Sequence, residues 1–268
     1  PLLMRMIPSQ GATKRGLKAM ARGSFFAGIM KSGALAGALL AGAAVPSYAE
    51  DAPKLALSGS ATMATDYMFR SISNTNQLPA VQPEFDLTYG MFWTYIWGSN
   101  TAFGENIEID YGAGISPKWG PVTFTFGAYY YTYPGATDEL NYWEFKGGAS
   151  WTTGQWTLAV GDRWSPDNFQ FFDQSNAIEG TVAYAFKAKL WNFFSPSISG
   201  TFGFQSYEIN ADDYTYWNAG LTLGFLEHWS ADVRYYDTDY NKDQCLIEQG
   251  FDRHGCDARA VGTIKATF

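Results

Sequence analysis

The chain has 268 residues, of which 46% are hydrophobic, 18% aromatic and 16% charged, with 28 glycines, and its mean hydropathy is −0.19. Acidic residues outnumber basic ones 26 to 18, which argues against nucleic acid as a partner, since neutralising phosphates requires the opposite sign. After residue 50 no apolar run reaches the roughly 18 residues a helical span needs, so any membrane crossing must be built from strands, and the aromatic excess then reads as interface girdles.

The first 49 residues differ in kind from the rest. They carry Arg5, Lys14, Arg15, Lys18, Arg22 and Lys31, no acidic residue, and the small apolar run Gly33 to Val45. This is the pattern of a secretory signal, with the small residues of Ser47-Tyr48-Ala49 placing cleavage after Ala49. Because the chain opens on Pro1, the translation start is expected at Met4, Met6, Met20 or Met30. With the six basic residues of 1–49 removed, twelve bases face 26 acids in 50–268, a net charge of −14.

From Leu55 onward twelve segments alternate polar and apolar residues, and the gaps between them alternate short and long. The short gaps are Tyr89-Gly90, Pro117 to Gly120, Thr153-Gly154, Trp191 to Pro196 and Glu227-His228, most with turn chemistry or turn length. The longer, polar gaps are Ser71 to Pro79, Asn100 to Glu105, Pro134 to Leu140, Ser165 to Asn176, Asn210 to Asp213 and Asp239 to Cys256. Short periplasmic turns with longer outer loops, on an even number of strands, are the rhythm of an outer-membrane barrel. A secreted β-sandwich would also alternate, but it would bury the aromatic faces and expose the charged ones.

Period-two alternation assigns the faces. Val122, Phe124, Phe126, Ala128 and Tyr130 of the fifth segment point toward lipid, as do Ile178, Gly180, Val182, Tyr184, Phe186, Ala188 and Leu190 of the eighth. Trp217, Ala219, Leu221, Leu223 and Phe225 of the tenth do the same, whereas the third, Met91 to Gly98, is apolar on both faces and cannot be oriented. The last segment is the clearest: Ala258, Ala260, Gly262, Ile264, Ala266 and Phe268 share one face, and Asp257, Arg259, Val261, Thr263, Lys265 and Thr267 the other. Such a strand cannot stand alone in hydrocarbon, where each unpaired backbone group costs several kcal/mol, so a closed antiparallel transmembrane β-barrel of about twelve strands, formed by residues 50–268, is the expected fold.

Six ordered blocks resemble the TorF family of porins: Asp66-Tyr67-Met68-Phe69-Arg70, Pro79-Ala80-Val81-Gln82, Trp97-Gly98-Ser99-Asn100, Glu108 to Gly114, Tyr131 to Gly135 and Tyr142-Trp143-Glu144. The resemblance implies an outer-membrane barrel of a Gram-negative bacterium. It also implies that Phe268 is the terminal aromatic by which the barrel-assembly machinery recognises such chains. Where the family carries Gly after the Arg of the first block, this chain has Ser71, which weighs against a tight turn there.

A porin works through its lumen, so inward-pointing charges are the candidate site. These are Asp66 and Arg70, Glu84 and Asp86, and Glu108 and Asp110 on the first, second and fourth segments. Glu144, Lys146, Arg163, Glu179, Lys187 and Lys189 follow on the sixth to eighth, and Asp232, Arg234, Arg259 and Lys265 on the last two. Acid gathers early and base around the seventh and eighth segments, across the barrel, which would set up a transverse field that orients dipolar solutes and screens ions. The expected function is a weakly selective pore for small polar or charged solutes. A closed structural barrel, its charges paired with one another, is the competing reading, because twelve strands lie between filled and open sizes.

The final long gap holds Cys245 and Cys256, expected to form a disulfide in an oxidising envelope. Asp237, Asp239, Asn241, Asp243 and Glu248 fall at positions 1, 3, 5, 7 and 12 of a calcium loop, a weak match because Lys242 stands where a sharp turn wants Gly. His254 lies between Asp252 and Asp257, where a barrel hydrolase could place its base, but a lone loop histidine among acids reads first as surface, and no enzyme activity is expected. No motif implies a cofactor. The expected partners are outer-membrane lipid, lipopolysaccharide, the assembly machinery and small solutes; self-association is left open by lipid-facing sectors of similar composition.

Overall fold

A computed structural model describes residues 53–136, 140–249 and 252–268. The expected signal segment, its cleavage point and residues 137–139 in the middle of the third long gap lie outside these. Twelve strands form the wall: β1 (Leu55–Ala64), β2 (Ala80–Tyr89), β3 (Phe92–Asn100), β4 (Ile107–Ile115), β5 (Val122–Thr132), β6 (Tyr142–Thr153), β7 (Trp156–Ser165), β8 (Ser175–Ala185), β9 (Ser195–Tyr207), β10 (Tyr214–Phe225), β11 (Trp229–Thr238) and β12 (Arg259–Thr267). Each pairs antiparallel with the next, and β1 with β12 closes the ring, so no strand edge is left unpaired.

At the narrow-turn end the chain reverses through residues held at positive φ, where glycine carries no steric penalty. Gly90, Gly120 and Gly154 sit at φ +60°, +56° and +59°. The turn between β8 and β9 is longer than expected, because β8 ends at Ala185 and a bridge between Leu190 and Phe194 closes a second small turn beyond it. Ala188 and Leu190 therefore belong to that turn and not to the outward face of the strand.

Alternation places apolar side chains outside along every stave. The third strand, unreadable from sequence, is oriented by its neighbours: Phe92 and Ile96 point out, while Trp93, Tyr95 and Trp97 point in, where Trp93 and Tyr95 lie 5.5 and 5.6 Å from the Tyr129 ring. Two aromatic bands ring the outside. Tyr130, Trp143, Phe145 and Trp164 stack in sequence near the long-loop end, and Trp156, Tyr184 and Phe186 near the short-turn end. No helix among the described residues is long and apolar enough to cross a membrane.

The chain terminus seals the ring. Phe268 and Gly59 exchange backbone hydrogen bonds of 2.8 and 3.0 Å, and the Phe268 ring meets Phe85 edge-on at 6.1 Å. A Cβ on residue 59 would fall 2.5 Å from that ring, so glycine is what lets the terminal aromatic lie flat across the seam.

Candidate functional site

The lumen divides into two halves of different chemistry. Toward the short-turn end its wall is hydroxyl-rich: Thr181 and Thr201 are hydrogen-bonded at 2.9 Å, Thr152 and Thr157 at 3.2 Å, and Thr222 donates to Asp232 at 2.6 Å. Toward the long-loop end the wall is tyrosine and charge, with Tyr129, Tyr131, Tyr142, Tyr214 and Tyr216 all buried. That half is filled by a segment that is not part of the wall.

The segment is the first long loop, Thr65 to Pro79, which turns inward after β1. The sequence reading ran the first strand on through Asp66 and Arg70; the strand ends at Ala64, and both residues ride on this loop. Its core is a two-stranded hairpin, Met68–Phe69 paired with Ile72–Ser73. Arg70 and Ser71 take φ +48° and +63° at the hairpin tip, so the tight turn that Ser71 argued against is present. Serine's strain there is set against a hydrogen bond, since Ser71 Oγ donates to the Trp217 carbonyl at 3.0 Å.

At the tip Arg70 is driven into the wall. Its Nη1 donates to Gln205 Oε1 at 2.5 Å and its Nη2 pairs with Glu144 Oε1. Tyr131 Oη donates to the other Glu144 oxygen at 2.9 Å, and Lys146 Nζ lies 3.4 Å from that oxygen and 3.8 Å over the Tyr129 ring. Next along the wall, Arg163 pairs with Glu179, which also accepts from Tyr216 Oη at 2.6 Å. These side chains are almost wholly buried. Breaking one such pair by removing a partner costs about 3–5 kcal/mol, because a charge is stranded away from water.

The base of the hairpin is tied to the last loop. Asp66 accepts from Ser73, Thr75 and Arg259 at 2.7, 2.8 and 2.9 Å, Ser73 N–H donates to the Gly255 carbonyl at 2.9 Å, and Gln77 reaches Asp252 at 3.1 Å. Cys245 and Cys256 are joined as expected, and the bridge is buried against Ile72 of the hairpin together with Tyr214, Tyr216 and Tyr240. The bridge therefore sits against the plug and not only at an outer loop tip.

The other sequence-selected residues fall as follows. Glu84 and Asp86 on β2 face inward and are half-buried, and Glu108 and Asp110 on β4 face inward and are buried, Glu108 accepting from Tyr67 Oη at 3.1 Å. Asp232 and Arg234 on β11 pair at 3.1 Å, and Lys265 is buried on the inner face of β12. Lys187 and Lys189 are corrected: with β8 ending at Ala185 they lie in the following turn, exposed. Their loss, and the pairing of Arg163 with Glu179, removes most of the base that the transverse field required.

The calcium reading is also corrected for the described side chains. The segment is the end of β11 followed by a short helix, α1 (Lys242–Gln249), and its oxygens go to separate partners. Asp237 accepts from Tyr235, Asp239 from Thr215 and Asp243 from Arg253, while Asn241 Oδ1 caps α1 by accepting from the Asp243 and Gln244 amides at 2.9 and 3.0 Å. Glu248 lies outside the described side chains. His254 and Asp257 are hydrogen-bonded at 2.8 Å on the exposed loop, with Lys242 3.2 Å from the same ring nitrogen. The hydrogen bond to His254 holds the Asp257 carboxyl below its usual range.

A closed barrel of twelve antiparallel strands, apolar outside and polar within, is a porin-like barrel, and solved porins share it. KdgM porin aligns with TM-score 0.54 and 9% identity over 79% of this chain and 99% of that one; NanC porin aligns with TM-score 0.51 and 12% identity over 80% and 99%. A second KdgM structure, solved in complex with disordered oligogalacturonate, aligns with TM-score 0.53 and 9% identity over 79% and 98%. At such identities the likeness speaks for the fold. Residues 48–268 match the model of a family described as "Bacterial protein of unknown function (Gcw_chp)", and the chain belongs to that family. No curated protein matches it. The solved porins share the barrel fold, and the family match does not carry the TorF name read from the sequence blocks.

Proposed function

We propose that this chain is an outer-membrane channel of the porin type, of TorF character, that passes small polar or charged solutes when its first loop withdraws from the lumen. On this reading the short-turn end and both strand termini face the periplasm, the aromatic bands mark the two membrane interfaces, and Phe268 is read by the assembly machinery. Lipid and lipopolysaccharide are then its surroundings.

One observation carries the proposal. The material blocking the lumen is a loop, held by side-chain contacts and by backbone bonds of Ser73 and Asn74, whereas the wall beneath it is lined by hydroxyls such as those of Thr181, Thr201 and Thr152. A barrel built only as a structural shell has no need of a wettable lower half. The competing reading, a permanently closed barrel, draws on the buried pairs Arg70–Glu144 and Arg163–Glu179. The remaining reading, a hydrolase built on His254, lacks a hydroxyl or thiol bonded to its ring among the described residues.

Planar bilayer recording separates these. The wild-type chain should show rare, brief openings, and a variant with residues 67–74 replaced by a Gly-Ser linker should stay open. Silence from both proteins at every voltage, with heat-modifiable folded barrels on gels, would establish the closed barrel instead.

A further inference from the structure

Arg70 occupies a niche that the wall builds without it. Both hydrogen-bond acceptors of the guanidinium tip come from the barrel: Glu144 on β6 takes one nitrogen and Gln205 on β9 the other at 2.5 Å, while the Phe69 ring of the hairpin itself lies 4.6 Å from the guanidinium carbon. Both acceptors are fixed by further contacts of the wall. Tyr131 and Lys146 hold the second Glu144 oxygen, and Gln205 Nε2 donates to the Ser206 carbonyl at 3.1 Å, which sets the amide so that its oxygen faces the niche. The stacked rings of Tyr131 and Tyr142, 4.5 Å apart, stand beside it.

Two acceptors from the wall, placed for the two Nη groups of one planar fork, form a receptor for a guanidinium. A spherical alkali ion or a single ammonium would satisfy only part of it. The charge around the niche points the same way. With Arg70 withdrawn, the buried inward groups on β4 to β8 are Glu144, Glu179, Glu108 and Asp110 against Lys146 and Arg163, a formal balance of −2 on that side of the wall, with the bases Arg234 and Lys265 farther round on β11 and β12. In a narrow, poorly solvated space that imbalance attracts a cation, which sets this lumen apart from one suited to a polyanion such as the oligogalacturonate of the KdgM complex.

We infer that Arg70 is a built-in stand-in for the solute, and that the niche between Glu144 and Gln205 is a binding site for small organic cations bearing a guanidinium group. This rests on the channel reading for its physiological use, although binding itself does not require conduction. A solute of that class competes with Arg70 for the niche and so favours withdrawal of the hairpin, coupling recognition to opening.

The test is chemical rescue in the full-length, detergent-refolded barrel. Methylguanidinium is titrated against wild type, Arg70→Ala, and Arg70→Ala combined with Glu144→Gln, with methylammonium as the single-point control and melting temperature as the readout. Methylguanidinium should raise the melting temperature of Arg70→Ala saturably, by roughly 3 °C, with a smaller effect of methylammonium and none in the double variant. Equal shifts in all three proteins, or no shift in Arg70→Ala, would overturn the inference. If Arg70→Ala does not refold, Arg70→Gln, which keeps a side chain at the hairpin tip, serves in its place with the same outcomes. Conductance of the same proteins keeps the two ideas apart: an open variant without the melting shift removes only the niche, and a melting shift without conductance removes only the channel.

Discussion

Reduction of the Cys245–Cys256 bridge by a water-soluble phosphine should loosen the plug as well as the loop that carries the bridge. The crosslink closes a loop with a sequence separation of 11, for which the chain-entropy relation gives roughly 2.8 kcal/mol at 25 °C. Both sulfurs lie in the cluster that covers Ile72, and the adjacent Gly255 carbonyl accepts the Ser73 amide. The freed entropy therefore lowers the cost of a local opening that breaks the Ser73 bond, and about 2.8 kcal/mol corresponds to roughly a hundredfold faster exchange of that amide. Hydrogen exchange read by mass spectrometry on the folded barrel measures it, with the short-turn halves of β8 and β9 as the internal reference because their rungs Thr181–Ala185 and Ser197–Thr201 lie at the other end of the barrel from the bridge. Phosphine removes no side-chain atom and adds only two thiol hydrogens, so no cavity confuses the reading. A change of less than threefold at Ser73, with the thiols shown to be free, would refute the idea that the last loop clamps the first.

Other consequences follow from single contacts. Arg163→Ala should destabilise the barrel by about 3–5 kcal/mol in denaturant titration, and replacing Arg163 and Glu179 together by methionine should cost less than that single change, because no charge is then stranded. Gly59→Leu should force the Phe268 ring off the seam and lower the unfolding free energy by about 1–3 kcal/mol in denaturant titration. Asn241→Ala removes the cap of α1 and should speed exchange of its first amides about fivefold, equivalent to about 1 kcal/mol. His254→Ala should move the Asp257 titration midpoint, read by carboxyl NMR, up toward the ordinary range. The sign is set by the depressed folded-state value: whatever stability the carboxylate adds is present at neutral pH and lost as pH falls through that value.

How much was legible before the fold was known depended on whether a property lives on one strand or between several. Alternation is a one-strand property, so the faces of β5, β10 and β12 are those read from Val122 to Tyr130, Trp217 to Phe225 and Ala258 to Phe268. The number of staves and the rhythm of turns were legible for the same reason. The orientation of β3 was not, because Trp93, Tyr95 and Trp97 are as apolar as Phe92 and Ile96, and only inner rings set them apart: Tyr129, two strands along on β5, for Trp93 and Tyr95, and Tyr67 of the first loop for Trp97. Strand ends were misread at both ends of the barrel. Asp66 and Arg70 keep the period of β1 but leave the wall, and Lys187 and Lys189 keep that of β8 but lie beyond it, since period says nothing about where ladder hydrogen bonds stop. The infolding of the first loop depends on Glu144, Gln205 and Gly255, far away in the chain; the one local hint was Arg70 amid apolar neighbours, and Ser71 after it argued against the turn that forms.

The join between β1 and β12 runs in register over only five residues, Ser60 to Ala64 against Thr263 to Thr267, while β8 and β9 match over eleven. The two ends of the sheet are thus stitched by its briefest seam, fastened at its foot by Gly59 and Phe268. A cylinder under load parts first where the fewest rungs hold it, and at five rungs, against six between β2 and β3, this line is that place.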